Sequence, residues 1–220
     1  MTNAAYWNTT PVAGPFRNRT ESVSSLLHRS QMYLGLEELL PQDYSGMTVL
    51  DYGCGPGQDV LRALHLGAEH VYAADIATEV LETIPQRLEW HGFSQSRVTL
   101  VPLSENGELK LPQVDHVHSA GVLHHTTAPG DVLTALRRAM NSSGWAMIYS
   151  RDSQFYAEKC HNDPQVFAVN VDPGVPIAEA WGDEQFVHMC ADAEIAATPL
   201  GHYGPGDLMS CFRLEPICES

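Results

Sequence analysis

The stretch TVLDYGCGPGQDVL, residues 48–61, places Gly53, Gly55 and Gly57 at alternate positions directly behind a short apolar run. Glycine tolerates positive φ and carries no Cβ, so three of them in this spacing open the backbone to close approach. Thr48, Val49 and Leu50 read as a buried strand, and the residues from about Gln58 read as the start of a helix. A strand, a glycine turn and a helix form a corner at which helix N–H groups face a ligand.

The rest of the pattern extends this corner into a fold. Strands are predicted at 48–52, HVYAAD (ending on Asp75), RVTLVPL, VDHVHSA and WAMIYSR. Helices are predicted at 58–66, with Gly67 as its stop, over TEVLETIPQRLEWHG with an interruption near Pro85, and over PGDVLTALRRAMN. Near-continuous apolar strands separated by helices indicate a parallel sheet covered on both faces, an α/β, doubly wound, Rossmann-like arrangement. A last helix at about 183–193 precedes AATPLGHYG and LMSCFRLEP, which read as an antiparallel edge pair. Ahead of the first strand, Pro11, Gly14 and Pro15 predict an irregular start over 1–20, and TESVSSLLHRSQMYLGLEELL predicts one helix ended by Pro41. The expected organisation is an N-terminal lid and helix over 1–45 and one domain over 46–220, with an aromatic, proline-broken insertion at about 151–180.

Charge narrows the function classes. Lys and Arg total 12 against 27 Asp and Glu, a formal charge of −15, which disfavours nucleic acid and anionic membrane as partners. No run approaches the roughly 20 apolar residues of a membrane span. The first ten residues, MTNAAYWNTT, lack a secretory pattern, and five scattered cysteines form no metal-like spacing. A cytoplasmic protein, monomer or homodimer, with free thiols and no metal site is expected.

The ligand follows from what accompanies the glycines. The spacing is GxGxG, not the dinucleotide GxGxxG, and the carboxylate of Asp51 sits just inside the loop, unhelpful to a pyrophosphate. S-adenosylmethionine has an ammonium, a sulfonium and a ribose diol, and no phosphate. Asp75, about 20 residues past the loop at a strand end, is placed to accept bonds from ribose hydroxyls, or else to cap the following helix.

With VLDYGCGPG, YAADIA, LPQVDHVHSAGVLHHTTAP and LRRAMNSSGWAMIYS in order, the sequence resembles the class I S-adenosylmethionine-dependent methyltransferases over about residues 45–150. The resemblance implies a seven-stranded sheet with a C-terminal antiparallel hairpin. It puts Asp51, Gly53, Gly55 and Gly57 at the methionine end of the cofactor, Asp75 on the ribose and Ile76 on the adenine. Ser119, Ala120 and Gly121 would lie beside the sulfonium. Where many members carry an adenine-binding Asp after strand three, this chain offers Ser104 and neighbouring Glu105, and its NSSGW turn departs from the usual Lys-Pro-Gly-Gly-like one.

Methyl transfer from a sulfonium is an in-line displacement that chiefly needs positioning and water exclusion, and needs a base only when the acceptor must lose a proton early. His124 and His125 lie in the loop after strand four, where a base or structural histidines would both fit. Tyr156 and His161 in the insertion are candidates for orienting a substrate, beside the reading as ordinary loop residues. Arg29 is placed either to pair bidentately with the cofactor carboxylate or to be a plain surface arginine. The expected activity is methyl transfer to a small-molecule acceptor, yielding S-adenosylhomocysteine. A nicotinamide-dependent oxidoreductase and a non-catalytic S-adenosylmethionine-binding protein are the competing readings.

Overall fold

The computed structural model describes residues 2–11, 13–33, 40–104, 109–171 and 173–217. Seven strands form one sheet in the order β3-β2-β1-β4-β5-β7-β6. Met1 aside, the chain divides into two compact units, Thr2–Glu108 with Val114–His116, and Leu109–Gln113 with Val117–Ser220.

The first unit opens with α1 (Asn3–Thr9) and α2 (Arg19–Met32). Helix α1 corrects the expectation of an irregular start. Its seven residues finish before Pro11, and the Thr2 side chain accepts from the Ala5 amide to cap it. Asn8 accepts from the Glu79 amide and so ties α1 down (3.0 Å). Helix α2 begins with a reciprocal cap: Asn18 Oδ1 accepts from the Glu21 amide, and the Glu21 carboxylate accepts from the Arg17 amide. It ends at Tyr33, and the predicted continuation through Leu34, Leu36 and Leu39 lies outside the described residues.

Next come β1 (Thr48–Tyr52), α3 (Gln58–His65), β2 (His70–Asp75), α4 (Thr78–Leu81), α5 (Ile84–His91) and β3 (Val98–Pro102). The break between α4 and α5 is the interruption expected near Pro85, which sits in the first turn of α5, where a missing N–H leaves no bond unmade. Strands β1, β2 and β3 pair in parallel, with Asp51 opposite Ala73 and Asp75 opposite Pro102. Asp51 and Asp75 therefore stand at the carboxyl ends of adjacent strands, where open α/β sheets bind ligands. Val60, Leu61 and Leu64 of α3 pack with Val49, Val71, Ile84 and Leu88 in one buried cluster. Each such side chain removed from water contributes on the order of 1.5–3 kcal/mol.

The second unit holds most of β4 (Val114–Ala120), then α6 (Pro129–Ala139), β5 (Met140–Tyr149), α7 (Gln154–Cys160), α8 (Pro164–Val171), α9 (Asp183–Asp192), β6 (Ile195–Tyr203) and β7 (Met209–Pro216). Strands β5–β7 and β6–β7 run antiparallel, which is the expected C-terminal hairpin. Pro199 lies on the outermost strand beside a register shift, where a missing ladder donor is tolerated. The insertion differs from a plain loop: Tyr156, Cys160, Phe167 and Ala180 form a small buried core under α7 and α8. Its aromatic spacing serves packing. Strand β5 starts at Met140, five residues earlier than predicted, because α6 stops at Ala139 and the polar run NSS continues the extended chain.

Gly144 sits within β5, and a Cβ there would come within 2.9 Å of Met140 Sδ, 3.1 Å of the Val117 carbonyl and 3.3 Å of Leu214 Cβ. The sulfur can swing aside, whereas the two strand neighbours cannot. Gly144→Ala is expected to destabilise the protein by about 1–3 kcal/mol through overpacking. Urea unfolding should show a lower midpoint with an unchanged denaturant slope.

Candidate functional site

The glycine loop is strapped to β2 by its backbone. The Gly53 and Cys54 amides both donate to the Ala74 carbonyl (2.7 and 3.0 Å), and the Gly55 amide donates to Asp75 Oδ2 (2.7 Å). The glycines answer to different demands. Gly57 has φ +83, and a Cβ there would press to 3.1 Å from Ile84 Cγ1, so it permits the approach of α5. Gly55 has φ +50, and a Cβ there would meet no atom within 4 Å, so its open side is left for something other than the protein.

Asp51 is buried, and its Oδ2 has no hydrogen-bond partner among the described residues. Burial first, and then the nearby Asp59 carboxylate, push its pKa well above the ordinary carboxylate range; Arg29 works in the opposite direction. Asp59, in the first turn of α3, reads from sequence only as part of a helix start. The structure makes it a centre of the corner. Its Oδ2 accepts from Arg29 Nε (2.9 Å), Arg29 Nη2 (2.7 Å) and the Tyr33 hydroxyl (2.9 Å). An acid two residues behind Gly57 is the available signal. Burial opposes the Arg29 charge, and Asp59 outweighs that, leaving the guanidinium firmly protonated. The donors expected to face a cofactor carboxylate are thus engaged by Asp59 in this structure.

Asp75 is also buried. Burial raises its pKa, while the amides of Ala77, Gly55 and Ile76 hold it down. Oδ1 takes the Ala77 amide and Oδ2 the Gly55 amide, so the carboxylate serves both helix entry and loop, and each oxygen keeps a further lone pair. Ile76 follows it directly. Ser104 is exposed just beyond β3, and Glu105 lies outside the described residues.

In the second unit, Ser119 is fully buried near the end of β4 with its hydroxyl unpartnered among the described residues. Ala120 follows, and Gly121 has φ +78 with its amide bonded to the Met147 carbonyl. His124 is buried and stacked on Tyr149 (centroids 3.8 Å apart), and its Nδ1 accepts from the Tyr149 amide (3.0 Å). Nδ1 is therefore the unprotonated nitrogen, and burial, followed by neighbouring His125, keeps the ring neutral. Its Nε2 carries the proton and lacks a partner among the described residues, which makes His124 a hydrogen-bond donor and not a base. His125 has the opposite polarity. Its Nδ1 donates to the Ile177 carbonyl (2.7 Å). Tyr156 is buried in a small core against which Tyr149, the ring stacked on His124, also packs, whereas His161 is an exposed residue at the end of α7 with φ +53.

The profile of the Methyltransferase domain family matches residues 43–194. Ribosomal protein L11 methyltransferase of Photobacterium profundum is 30% identical over 134 residues, 60% of this chain and 46% of that protein. A tRNA U34 carboxymethyltransferase of Shewanella woodyi is 36% identical over 110 residues, 49% of this chain and 33% of that protein. The chain spans less than half the length of these two relatives. Among solved structures, magnesium protoporphyrin IX methyltransferase (ChlM) from Synechocystis PCC 6803 with bound SAH superposes with a TM-score of 0.70 at 15% identity, covering 97% of each chain.

The raised pKa of Asp51 has a consequence for stability. Its carboxyl is harder to ionise in the folded than in the unfolded chain, so stability falls as pH rises from near 4 through the folded-state pKa. At neutral pH the buried Asp51 carboxyl is a standing cost in the ligand-free protein. Asp51→Asn is expected to raise ligand-free stability by roughly 0.5–2 kcal/mol at pH 7, checked by denaturant unfolding, with the gain shrinking toward pH 4.

Proposed function

This chain is a member of the methyltransferase-domain family, and from that premise we propose that it transfers the methyl group of S-adenosylmethionine to an acceptor, leaving S-adenosylhomocysteine. The observation that carries the reading is the buried Asp51 Oδ2 without a partner among the described residues, beside an open Gly55. A carboxylate withdrawn from water calls for a cationic donor, and the cofactor ammonium supplies one. The residues present fit that group. Asp51 would hold the ammonium, the Gly53–Gly57 turn would admit the chain, and the remaining lone pairs of Asp75 would take the ribose hydroxyls. Ile76 and Ser104 would border the adenine, while Ser119, Ala120 and Gly121 keep the role the resemblance implies for them. A nicotinamide dinucleotide fits less well, because its pyrophosphate would meet three carboxylates, Asp51, Asp59 and Asp75.

When bound, the cofactor supplies a methyl group on a sulfonium, already joined to a good leaving group. The chain binds, orients and excludes water, which is most of what such a displacement requires. In this reading His125 accepts a proton where the acceptor must shed one, and His124 donates from Nε2. The net charge of −15 supports a small-molecule acceptor over nucleic acid. The names of the two relatives favour a second reading, a macromolecular acceptor. Tritium from the cofactor methyl group, recovered from cell extract in the low-mass or the macromolecular fraction, separates the two.

Calorimetric titration with S-adenosylmethionine, S-adenosylhomocysteine and NADH tests the cofactor. Micromolar binding of the first two without NADH is expected, and NADH binding alone would overturn the reading. Binding without any label transfer would leave the non-catalytic protein as the answer. Asp75→Ala should weaken S-adenosylhomocysteine binding by about 1–3 kcal/mol.

A further inference from the structure

A cavity of about 580 Å³ lies within the first unit, walled by residues of α2, α3 and α5. Arg19, Arg62, His65 and His91 line it, and none of its described lining residues is acidic. That is against the grain of a chain with 12 Lys and Arg facing 27 Asp and Glu. The remaining wall is largely aliphatic, from Val23, Leu26, Leu27 and Leu66. Leu27 is 58% exposed, a large apolar side chain that the fold itself does not cover. The volume is that of an ordinary small-molecule site.

The basic groups are held in a defined polarity. Arg87, fully buried, donates from Nε to Ser22 Oγ (2.9 Å) and also to the Pro56 carbonyl. Because arginine only donates, the Ser22 hydroxyl can give its own hydrogen to His91 Nε2 (3.1 Å). The His91 proton then sits on Nδ1 and points to His65 Nε2 (3.2 Å). His65 is left with its N–H on Nδ1. Arg19, exposed at the first residue of α2, has no acidic partner among the described residues. Arg62 donates one bond to the Pro41 carbonyl (3.3 Å) and lies over the Tyr33 ring. Burial first, and then neighbouring His65, Arg87 and Arg19, hold His91 down at about 4. Among the described lining residues the cavity thus combines two arginines with an aliphatic wall.

We propose that this cavity binds an amphipathic monoanion, a carboxylate on an apolar body, with Arg19 and the remaining Nδ1–H of His65 receiving the carboxylate and the leucines covering the body. A small hydrophilic anion would leave the aliphatic wall in water, and among the described lining residues a cation would meet arginine and no carboxylate. The cavity adjoins the acidic corner through Tyr33, which lines it and donates its hydroxyl to Asp59 Oδ2, but its proposal does not depend on the methyl-transfer reading.

The full chain, labelled at histidine nitrogens, is titrated by NMR with octanoate, octylammonium and inorganic phosphate. Octanoate should move the His65 and His91 signals and raise the His91 titration midpoint by about one pH unit, because a nearby anion favours the imidazolium. Arg19→Gln should weaken octanoate binding about tenfold with an unchanged thermal midpoint, since Arg19 is exposed and its loss removes one charge-assisted contact. The proposal is overturned by histidine signals that octanoate leaves in place, by octylammonium binding equally well, or by phosphate matching octanoate.

Discussion

The ion pair between Arg29 and Asp59 is the interaction on which the corner depends. Three carboxylates, Asp51, Asp59 and Asp75, are drawn out of water around one glycine loop, and mutual repulsion alone would oppose that arrangement. Arg29 reaches from α2 to place two donors on one Asp59 oxygen, and Tyr33 adds a third. The pair fixes α2 against the start of α3 and lets Asp51 remain close to a second acid. It leaves Oδ2 of Asp51 without a partner among the described residues, and that atom gives the corner a use for a positively charged ligand.

Much of the fold is legible in the sequence because its signals are local. Apolar runs 70–75 and 114–120, glycine stops such as Gly67, and the Pro85 interruption each follow from the neighbours in sequence. Helix α1 is hidden because Pro11 and Gly14 dominate the reading of the whole segment, although a seven-residue helix ends ahead of them. The insertion is hidden for another reason. Its Tyr156, Cys160 and Phe167 bury one another, and that becomes visible only once Ala180, some way along the chain, closes the cluster.

The candidate site divides along the same line. Backbone-determined features, the glycines and the strand-end acids, are readable from spacing. Side-chain partnerships across long separations are not: Arg29 and Asp59 are 30 residues apart, and nothing local tells arginine which carboxylate it will find. Gly57 likewise reads in sequence as a site of ligand approach, whereas the atom nearest an added Cβ belongs to Ile84.

The histidine pair shows how far composition falls short of chemistry. His124 and His125 are identical neighbours with opposite tautomers, because one faces a backbone N–H and the other a backbone carbonyl. The Tyr149 amide makes His124 an acceptor at Nδ1 and so a donor at Nε2; the Ile177 carbonyl does the reverse to His125. Tyr149 belongs to β5, and Ile177 to the segment between α8 and α9, so the division of labour within one dipeptide is set by two distant pieces of chain. A residue capable of either proton role acquires one of them from the fold, and at Nδ1 the two histidines of this loop acquire opposite ones.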